Sequence, residues 1–183
     1  GTTASAQSEA EETDLGPVRV YARPEQASAE LFPDAATIVL EVKSIEPKLR
    51  SAVTATLGRV FYDDSLRVYI AYDQSDLILG RAVVSDEIGK YRPITFMVGL
   101  DVDFAVTGAA ILVYRESRGG EVRRSRFLRQ YRGKSSGDPI RINRDIVNIS
   151  GATMSVQALN FSVRKLLYLT QALYAPSSLG ARR

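Results

Sequence analysis

The sequence contains no cysteine and no histidine. Thiolate and imidazole ligands are therefore missing, and zinc sites, cysteine-bound iron–sulfur clusters and c-type haem attachment all depend on them. Catalytic mechanisms that use cysteine or histidine are excluded for the same reason. No disulfide can form, so the stability of the fold rests on its apolar core. If a chain of this composition handles electrons, it must do so with an organic cofactor.

Long apolar runs and a strong net charge are also missing. No stretch approaches the ~20 consecutive apolar residues of a membrane-spanning helix. The net charge of +3 is too small to indicate nucleic-acid binding by itself. The 183 residues, 45% of them hydrophobic, are typical of one globular domain. We expect this domain over residues 17–176, between a disordered leader (residues 1–16) and a flexible tail (residues 177–183).

The apolar periodicity changes along the chain and predicts an α+β fold. Residues 24–32 and 47–57 are predicted as short helices, the second of them ended by Gly58. Strands are predicted where β-branched residues cluster or apolar residues alternate, at residues 37–42, 67–72, 77–84, 94–100 and 106–114. The short connections between them indicate an antiparallel sheet, which we expect to pack against a long C-terminal helix.

That helix is predicted from residues near the C-terminus. Small residues at positions 150–153 (Ser-Gly-Ala-Thr) form a tight turn, and apolar residues then recur at steps of three and four over residues 156–173. The start of a helix presents unpaired N–H groups and the positive end of its dipole, which suit an anion. The hydroxyls of Ser150, Thr153 and Ser155 could cap the helix, bind a phosphate, or be esterified by one.

The turn also resembles a known motif. Residues 149–155 (Ile-Ser-Gly-Ala-Thr-Met-Ser) resemble the signature of the FMN-binding domain family. This family includes the C subunit of sodium-translocating NADH:quinone reductase, the G subunit of the Rnf complex and the periplasmic domain of NosR-type proteins. Its members carry FMN through a phosphoester on the last residue of Ser-Gly-Ala-Thr, installed outside the cytoplasm by an ApbE-type flavin transferase. The resemblance implies Thr153 as the attachment residue, with neighbouring cofactor contacts from Ser150, Gly151, Ala152 and Met154.

One position departs from the family pattern. The family places an aspartate three residues before the serine, where this chain has Val147. The nearest acidic residue is Asp145. Either the motif tolerates this shifted aspartate, or covalent attachment is weakened or lost.

Two further segments resemble the same family, and the resemblance spans about residues 80–173. Residues 80–91 are similar to the segment before the family's central pair of strands. Residues 114–121 are similar to its Glu-Thr-Pro-Gly-Leu-Gly loop, which lines the flavin site. This similarity implies flavin contacts from Glu116, Ser117, Gly119 and Gly120. From the residues alone, the pattern favours an ordinary hairpin or strand–helix turn over a flavin contact.

A basic segment lies between this loop and the turn at residues 150–153. Residues 115–134 contain seven arginines and one lysine against two glutamates. We predict a helix over residues 121–131, whose positive face could be solvated surface, a holder of the flavin phosphate, or a docking surface for an acidic redox partner. Residues 127–135 resemble the family's aromatic-to-Gly-Lys-Ser stretch, and this implies Lys134 as a cation beside the flavin.

The function predicted from these residues is an extracytoplasmic electron-transfer flavoprotein that carries FMN on Thr153. The flavin supplies the redox chemistry, so we assign no catalytic acid or base and no metal ligand. Two alternatives stay open: a small flavin reductase or oxidase, for which no nicotinamide-binding glycine motif is present, and a non-redox or noncovalent flavin-binding module. The expected partners are the flavin transferase and a redox partner that could be membrane-bound. We expect no nucleic acid, and a membrane anchor would have to lie outside this sequence.

Overall fold

The computed structural model describes residues 18–175, so the predicted leader and the predicted tail lie outside the described residues. Its elements, in chain order, are β1 (Arg19–Val20), α1 (Pro24–Leu31), β2 (Thr37–Ser44), α2 (Pro47–Leu57), β3 (Ser65–Tyr72), β4 (Ile78–Ile88), β5 (Pro93–Asp101), β6 (Val106–Tyr114), α3 (Ser125–Leu128) and α4 (Thr153–Tyr174). The predicted α+β class is confirmed.

The strands form one antiparallel sheet in the order β1-β6-β5-β4-β3-β2. Strands β2 to β6 are therefore neighbours in sequence order, as the short connections predicted. The two-residue strand β1, which the sequence pattern did not predict, pairs with the end of β6, where Arg19 lies opposite Tyr114. This pairing brings the start of the described chain next to the loop that follows β6.

Helices cover both faces of the sheet, because alternate side chains of each strand point to opposite faces. On β3, Val68 and Ile70 belong to the larger core, which contains the buried face of α4. Their neighbours Tyr69 and Ala71 belong to the smaller core on the other face, against α1. The predicted packing of the sheet against the C-terminal helix is confirmed. None of the helices in the described part of the chain combines the length and the hydropathy needed to span a lipid bilayer.

The continuous helix predicted over residues 121–131 is wrong. Two 3-10 turns, Gly120–Arg123 and Arg129–Tyr131, flank the single turn of α3, and the chain is extended at Arg124 (φ −61°, ψ 135°). Val122 and Tyr131 are both buried. On a straight helix of about 3.6 residues per turn they would be two and a half turns apart and would face opposite sides. The break at Arg124 allows both side chains to reach the core.

Candidate functional site

The long helix α4 begins in a tight turn that no side chain caps. Its N-cap residue is Ala152, which is buried, and the Ala152 N–H donates to the carbonyl of Ile149 at 3.0 Å. Gly151 has φ +81°, a left-handed conformation that glycine adopts without strain. The hydroxyls near this turn therefore do not cap the helix, which removes one of the three roles considered for them.

Thr153 is the first residue of α4, and its side chain is exposed. Its Oγ1 accepts a hydrogen bond from Asn148 Nδ2 at 2.8 Å. The Oδ1 of Asn148 is buried without a hydrogen-bond partner among residues 18–175. Met154 is also exposed. The sequence analysis did not identify Asn148 as a site residue. The available signal was its carboxamide, which directly follows Val147, the position at which the family pattern has an acid.

The loop after β6 packs directly against the first turn of α4. Tyr114 Oη lies 3.1 Å from Ser155 Oγ and also donates to the carbonyl of Arg118. Gly119 fits between them with φ +83°, and a Cβ atom there would lie 2.6 Å from Tyr114 Oη and 2.8 Å from Ser155 Oγ. Only glycine satisfies both the conformation and the close approach. The loop after β6 and the start of α4, both predicted to contact the flavin, are therefore held together.

Between these segments lies a groove of about 600 Å³, here called the basic groove. It is lined by Arg19, Tyr21, Ser117, Arg118, Gly119, Gly120, Glu121, Arg123, Arg124, Ser150 and Gly151. Five predicted flavin-contact residues are thus brought together. The arginines outnumber the single glutamate, and the guanidinium of Arg123 lies 3.8 Å from the centre of the Tyr21 ring. The groove combines positive charge with close access to glycine backbone, and its size is that of ligand sites in general.

A smaller hollow of about 450 Å³ adjoins the basic groove and shares Glu121 and Arg124 with it. Its walls include the apolar side chains of Phe127, Val147 and Ile149, together with Asn148, which binds Thr153. The exposed hydroxyl of Thr153 therefore lies beside a polar region and an apolar one. These residues fit a phosphate-bearing aromatic cofactor, because the arginines suit the phosphate and the apolar wall suits a ring.

Five predicted cofactor residues do not line the groove: Ala152, Thr153 and Met154 at the start of α4, and Glu116 and Lys134, which have partners elsewhere. Glu116 is buried, and its Oε1 accepts the N–H groups of Tyr91 at 2.6 Å and Arg92 at 2.9 Å, which holds the turn between β4 and β5. Lys134 forms an ion pair with Asp145 at 3.3 Å. Both charges are engaged in contacts that organise the fold.

Asp145 has its own set of partners. Its carboxylate accepts the N–H groups of Ile140 at 3.0 Å and Arg141 at 2.9 Å, in addition to the ion pair with Lys134. Burial acts to raise the pKa of this carboxyl, but the two backbone hydrogen bonds and Lys134 outweigh it and hold the pKa below its usual range. Val147 is 75% exposed, and its backbone is bound by the side chain of Gln130. Asp145 is therefore not free to replace an acid at position 147.

Comparison with known proteins shows a domain family to which part of this chain is similar. Residues 89–168, which include the loop after β6 and the start of α4, match the model of the FMN-binding domain. The match confirms the resemblance stated from the sequence and indicates FMN as the cofactor. No curated protein matches the sequence.

Two solved structures have a similar fold. One is NqrC of Shewanella oneidensis, with a TM-score of 0.51 and 14% sequence identity over 80% of this chain and 84% of that one. The other is the C subunit of the Na⁺-translocating NADH-quinone reductase of Parabacteroides distasonis, with a TM-score of 0.53 and 16% identity over 97% of this chain and all of that one (100%). At such low identities the similarity shows a shared fold.

Proposed function

Because the chain contains an FMN-binding domain with the fold of these two proteins, we propose that it is an extracytoplasmic electron-transfer module that carries FMN through a phosphoester on Thr153. The observation that supports the attachment is the exposed hydroxyl of Thr153, at the uncapped start of α4 and beside the basic groove. A hydroxyl in this position is accessible to a modifying enzyme. The uncapped N–H groups of the first turn and the positive end of the helix dipole favour an esterified phosphate there.

Attachment requires the Thr153 oxygen to act as a nucleophile on a flavin nucleotide supplied by a flavin transferase. With FAD as the donor, Oγ1 forms a bond to the flavin-side phosphorus, and the bond from that phosphorus to the AMP oxygen breaks. AMP leaves, and the hydroxyl proton passes to a base on the transferase. Asn148 donates a hydrogen bond to Thr153 Oγ1, so the proton of the Thr153 hydroxyl points away from Asn148. Asn148 therefore positions the oxygen.

The residues that would hold the cofactor are those of the basic groove. Ser117, Gly119 and Gly120 offer backbone that can approach a planar ring closely, since the glycines have no side chain to obstruct it. Arg118 and Arg124 provide positive charge. Bound FMN supplies the electron-transfer chemistry itself. The arginines and the helix dipole favour the reduced, anionic flavin and so raise its potential.

The proposed location and partners follow from the proposed modification. The resemblance of residues 149–155 implies a transferase that acts outside the cytoplasm, so the mature domain would operate there. We propose that it receives or passes electrons through a redox partner and has no small-molecule substrate of its own. Such a domain needs a transferase that attaches the flavin, one partner that donates electrons to it and one that accepts electrons from it.

Replacement of Thr153 by valine tests the attachment. Thr153→Val nearly preserves the shape of the side chain but removes the oxygen, so intact-mass measurement after co-expression with the transferase should show no FMN adduct. Thr56→Val is a matched control, because Thr56 is another exposed helical threonine, whose Oγ1 bonds only to the carbonyl of Ala52. The control should carry the adduct in full. An adduct that persists in Thr153→Val would exclude this residue as the attachment point.

A second candidate function is noncovalent binding of FMN. It is favoured by Val147, which replaces the acid of the family motif, and by the engagement of Asp145 with Lys134. Denaturation of purified, flavin-loaded protein distinguishes the two. Flavin that stays with the unfolded chain through gel filtration supports the ester, and flavin that separates from it supports noncovalent binding.

A further inference from the structure

A separate cavity of about 610 Å³ lies between the end of α2, the loop at residues 140–142 and residues 157–164 of α4. It is here called the arginine cavity. It shares no lining residue with the basic groove or with the adjoining hollow. Whatever occupies the flavin site therefore leaves this cavity available.

Three arginines line the arginine cavity: Arg59, Arg141 and Arg164. No aspartate or glutamate is among its lining residues. Nε of Arg164 is buried without a hydrogen-bond partner in the described part of the chain. Burial lowers the pKa of Arg164, and the charges of Arg141 and Arg59 lower it further. Arg59 forms an ion pair with Glu87 at 3.6 Å, outside the lining of the cavity. Arg141 and Arg164 have no ion pair with a carboxylate among residues 18–175. An anion would relieve the repulsion between these like charges.

A buried amide adds a neutral donor to these charges. Asn160 lines the cavity and is only 4% exposed. Its Oδ1 accepts the phenol of Tyr131 at 2.7 Å, and burial raises the pKa of Tyr131, so the phenol stays protonated as a donor. The Nδ2 group of Asn160 is left without a hydrogen bond to any residue that the structure describes. The polar groups that are free to bind an occupant are thus predominantly donors.

Apolar side chains form the rest of the wall. Leu57, Ile140 and Phe161 line the cavity, and the guanidinium of Arg59 lies 4.1 Å from the centre of the Phe161 ring. The volume is in the range of sites for small organic ligands and is large for a lone inorganic ion. An occupant can therefore place an apolar part against Phe161 and a charged part against the arginines.

We propose that the arginine cavity binds a small organic anion, whose phosphate or carboxylate group is held by Arg59, Arg141, Arg164 and Asn160 and whose apolar part packs against Leu57 and Phe161. Arginine suits both oxyanions, since its planar guanidinium binds either with two parallel hydrogen bonds. The proposal concerns a site apart from the basic groove and does not rest on flavin attachment.

Four probes separate the contributions of charge and apolar surface. Phenyl phosphate, benzoate, inorganic phosphate and phenol are titrated calorimetrically into the full chain, prepared with and without FMN, at low ionic strength. At least one of the two aromatic anions should bind saturably and equally well to both preparations, and the tighter of them identifies the preferred oxyanion. Inorganic phosphate should bind roughly tenfold more weakly than phenyl phosphate because it lacks the apolar part. Phenol should not bind.

Other results would overturn the proposal. Absence of saturable binding by both aromatic anions would exclude an anion site. Binding of phenol as tight as that of phenyl phosphate would remove the role of the arginines. Inorganic phosphate that matches phenyl phosphate would remove the role of the apolar wall. Binding that disappears when FMN is present would place the probes in the flavin site.

Single substitutions locate the binding. Arg141→Gln and Arg164→Gln should each weaken the tighter aromatic anion about tenfold, since each removes one charge-assisted contact. Arg67→Gln, an exposed position on β3 outside every cavity described above, should leave the affinity unchanged. Arg141→Gln is expected to fold normally, because Arg141 holds Asp145 through its backbone N–H; its thermal unfolding checks this. Weakening by Arg118→Gln, with both cavity variants unaffected, would assign the binding to the basic groove and refute the proposal.

Discussion

Tyr114 Oη lies 3.1 Å from Ser155 Oγ, and this contact joins the end of β6 to the first turn of α4. The phenol has one proton, which it donates to the carbonyl of Arg118, so the hydroxyl of Ser155 donates to Tyr114. Burial raises the pKa of Tyr114, although the bond from Ser155 acts in the opposite direction. The phenol thus stays neutral. The glycine loop of the basic groove and the helix that begins at Thr153 are consequently held as one unit.

Alanine at Gly119 should break this unit. Gly119→Ala is expected to lower the free energy of unfolding by about 2–4 kcal/mol, because the new Cβ adds a clash with Tyr114 and Ser155 to the strain of a positive φ. Gly133→Ala is the matched control: φ there is +77°, and no atom lies within 4 Å of the added Cβ. It should cost only about 1 kcal/mol. Urea unfolding measures both, and the flavin absorbance ratio should fall in Gly119→Ala alone. Equal costs would show that the close approach is unimportant.

Aspartate at position 147 should restore the acid of the family motif. Val147→Asp is expected to speed flavinylation several-fold, since Val147 is exposed and the new carboxylate would be accessible to the transferase. Asp145→Asn should not act on the chemistry directly, because Asp145 is engaged with Lys134 and two backbone N–H groups. The fraction of adduct is followed against time with purified transferase, FAD and magnesium. If Val147→Asp leaves the rate unchanged, an acid at this position has no role in this chain.

Arg124 and Arg129 should behave differently although both are exposed and basic. Arg124 lines the basic groove, whereas Arg129 lines a separate hollow near α1. Arg124→Gln should lower the flavin potential by about 10–20 mV, which corresponds to roughly 0.5–1 kcal/mol for a two-electron couple. Arg129→Gln should leave it unchanged. Potentiometric titration at low and high salt measures both.

If the basic face docks an acidic redox partner, substitutions there should change the rate of electron transfer and leave the flavin potential unchanged. Charge reversal at Arg124 and Arg129 together would then slow electron transfer to the partner and flatten its salt dependence, with flavin content and potential unchanged. If neither the potential nor the transfer rate responds to any of these changes, the basic face is solvated surface.

Lys165 should be essential for stability, because it is 1% exposed and binds two carboxylates. It lies 3.1 Å from Asp63 and 3.0 Å from Glu87. Lys165→Met should cost about 3–5 kcal/mol at neutral pH, since it leaves these carboxylates without their buried cation. Glu87→Gln on the Lys165→Met background should recover part of this loss, and urea unfolding measures both variants.

The pH dependence of Lys165→Met gives a second measurement. Burial already raises the pKa of Glu87 even with Lys165 present, and loss of the cation raises it further. The folded variant therefore binds a proton more tightly than the unfolded chain. Its stability should fall as pH rises from about 4.3, the usual glutamate value, through the folded pKa. Glu87→Gln removes the titrating group, so a pH slope that persists in the double variant would contradict this origin.

Most of the fold could be predicted because apolar spacing determines which face of a strand or helix is buried. Gly58, for example, ends α2 with φ +72° as its position predicted. The helix over residues 121–131 could not be predicted correctly. Its many arginines carry no periodic signal, and the extended conformation of Arg124 is imposed by the burial of Val122 against distant elements. The two-residue strand β1 is too short to show an alternation of apolar and polar residues.

The candidate site was predictable only where its members lie in recognisable segments. Ser117 and Gly119 line the same groove as Ser150. This proximity could be predicted because the two segments that contain these residues resemble segments of one family. Glu116 and Lys134 have partners that a single sequence does not reveal, since the N–H groups of Tyr91 and Arg92 are made available by the sheet pairing. The arginine cavity was unpredictable for the same reason, because its arginines come from three separate parts of the chain.

Thr153 is the first residue of a 22-residue helix of which 13 residues are buried. Its Cα therefore moves with the core of the molecule, and one torsion, χ1, separates its hydroxyl from that core. In a β-branched side chain this torsion is restricted to few rotamers. The hydroxyl is thus confined to the few positions that these rotamers give around the Cα atom. A group esterified to it would move about χ1 and about its own bonds, so the radius within which it exchanges electrons would be set mainly by the length of its own chain.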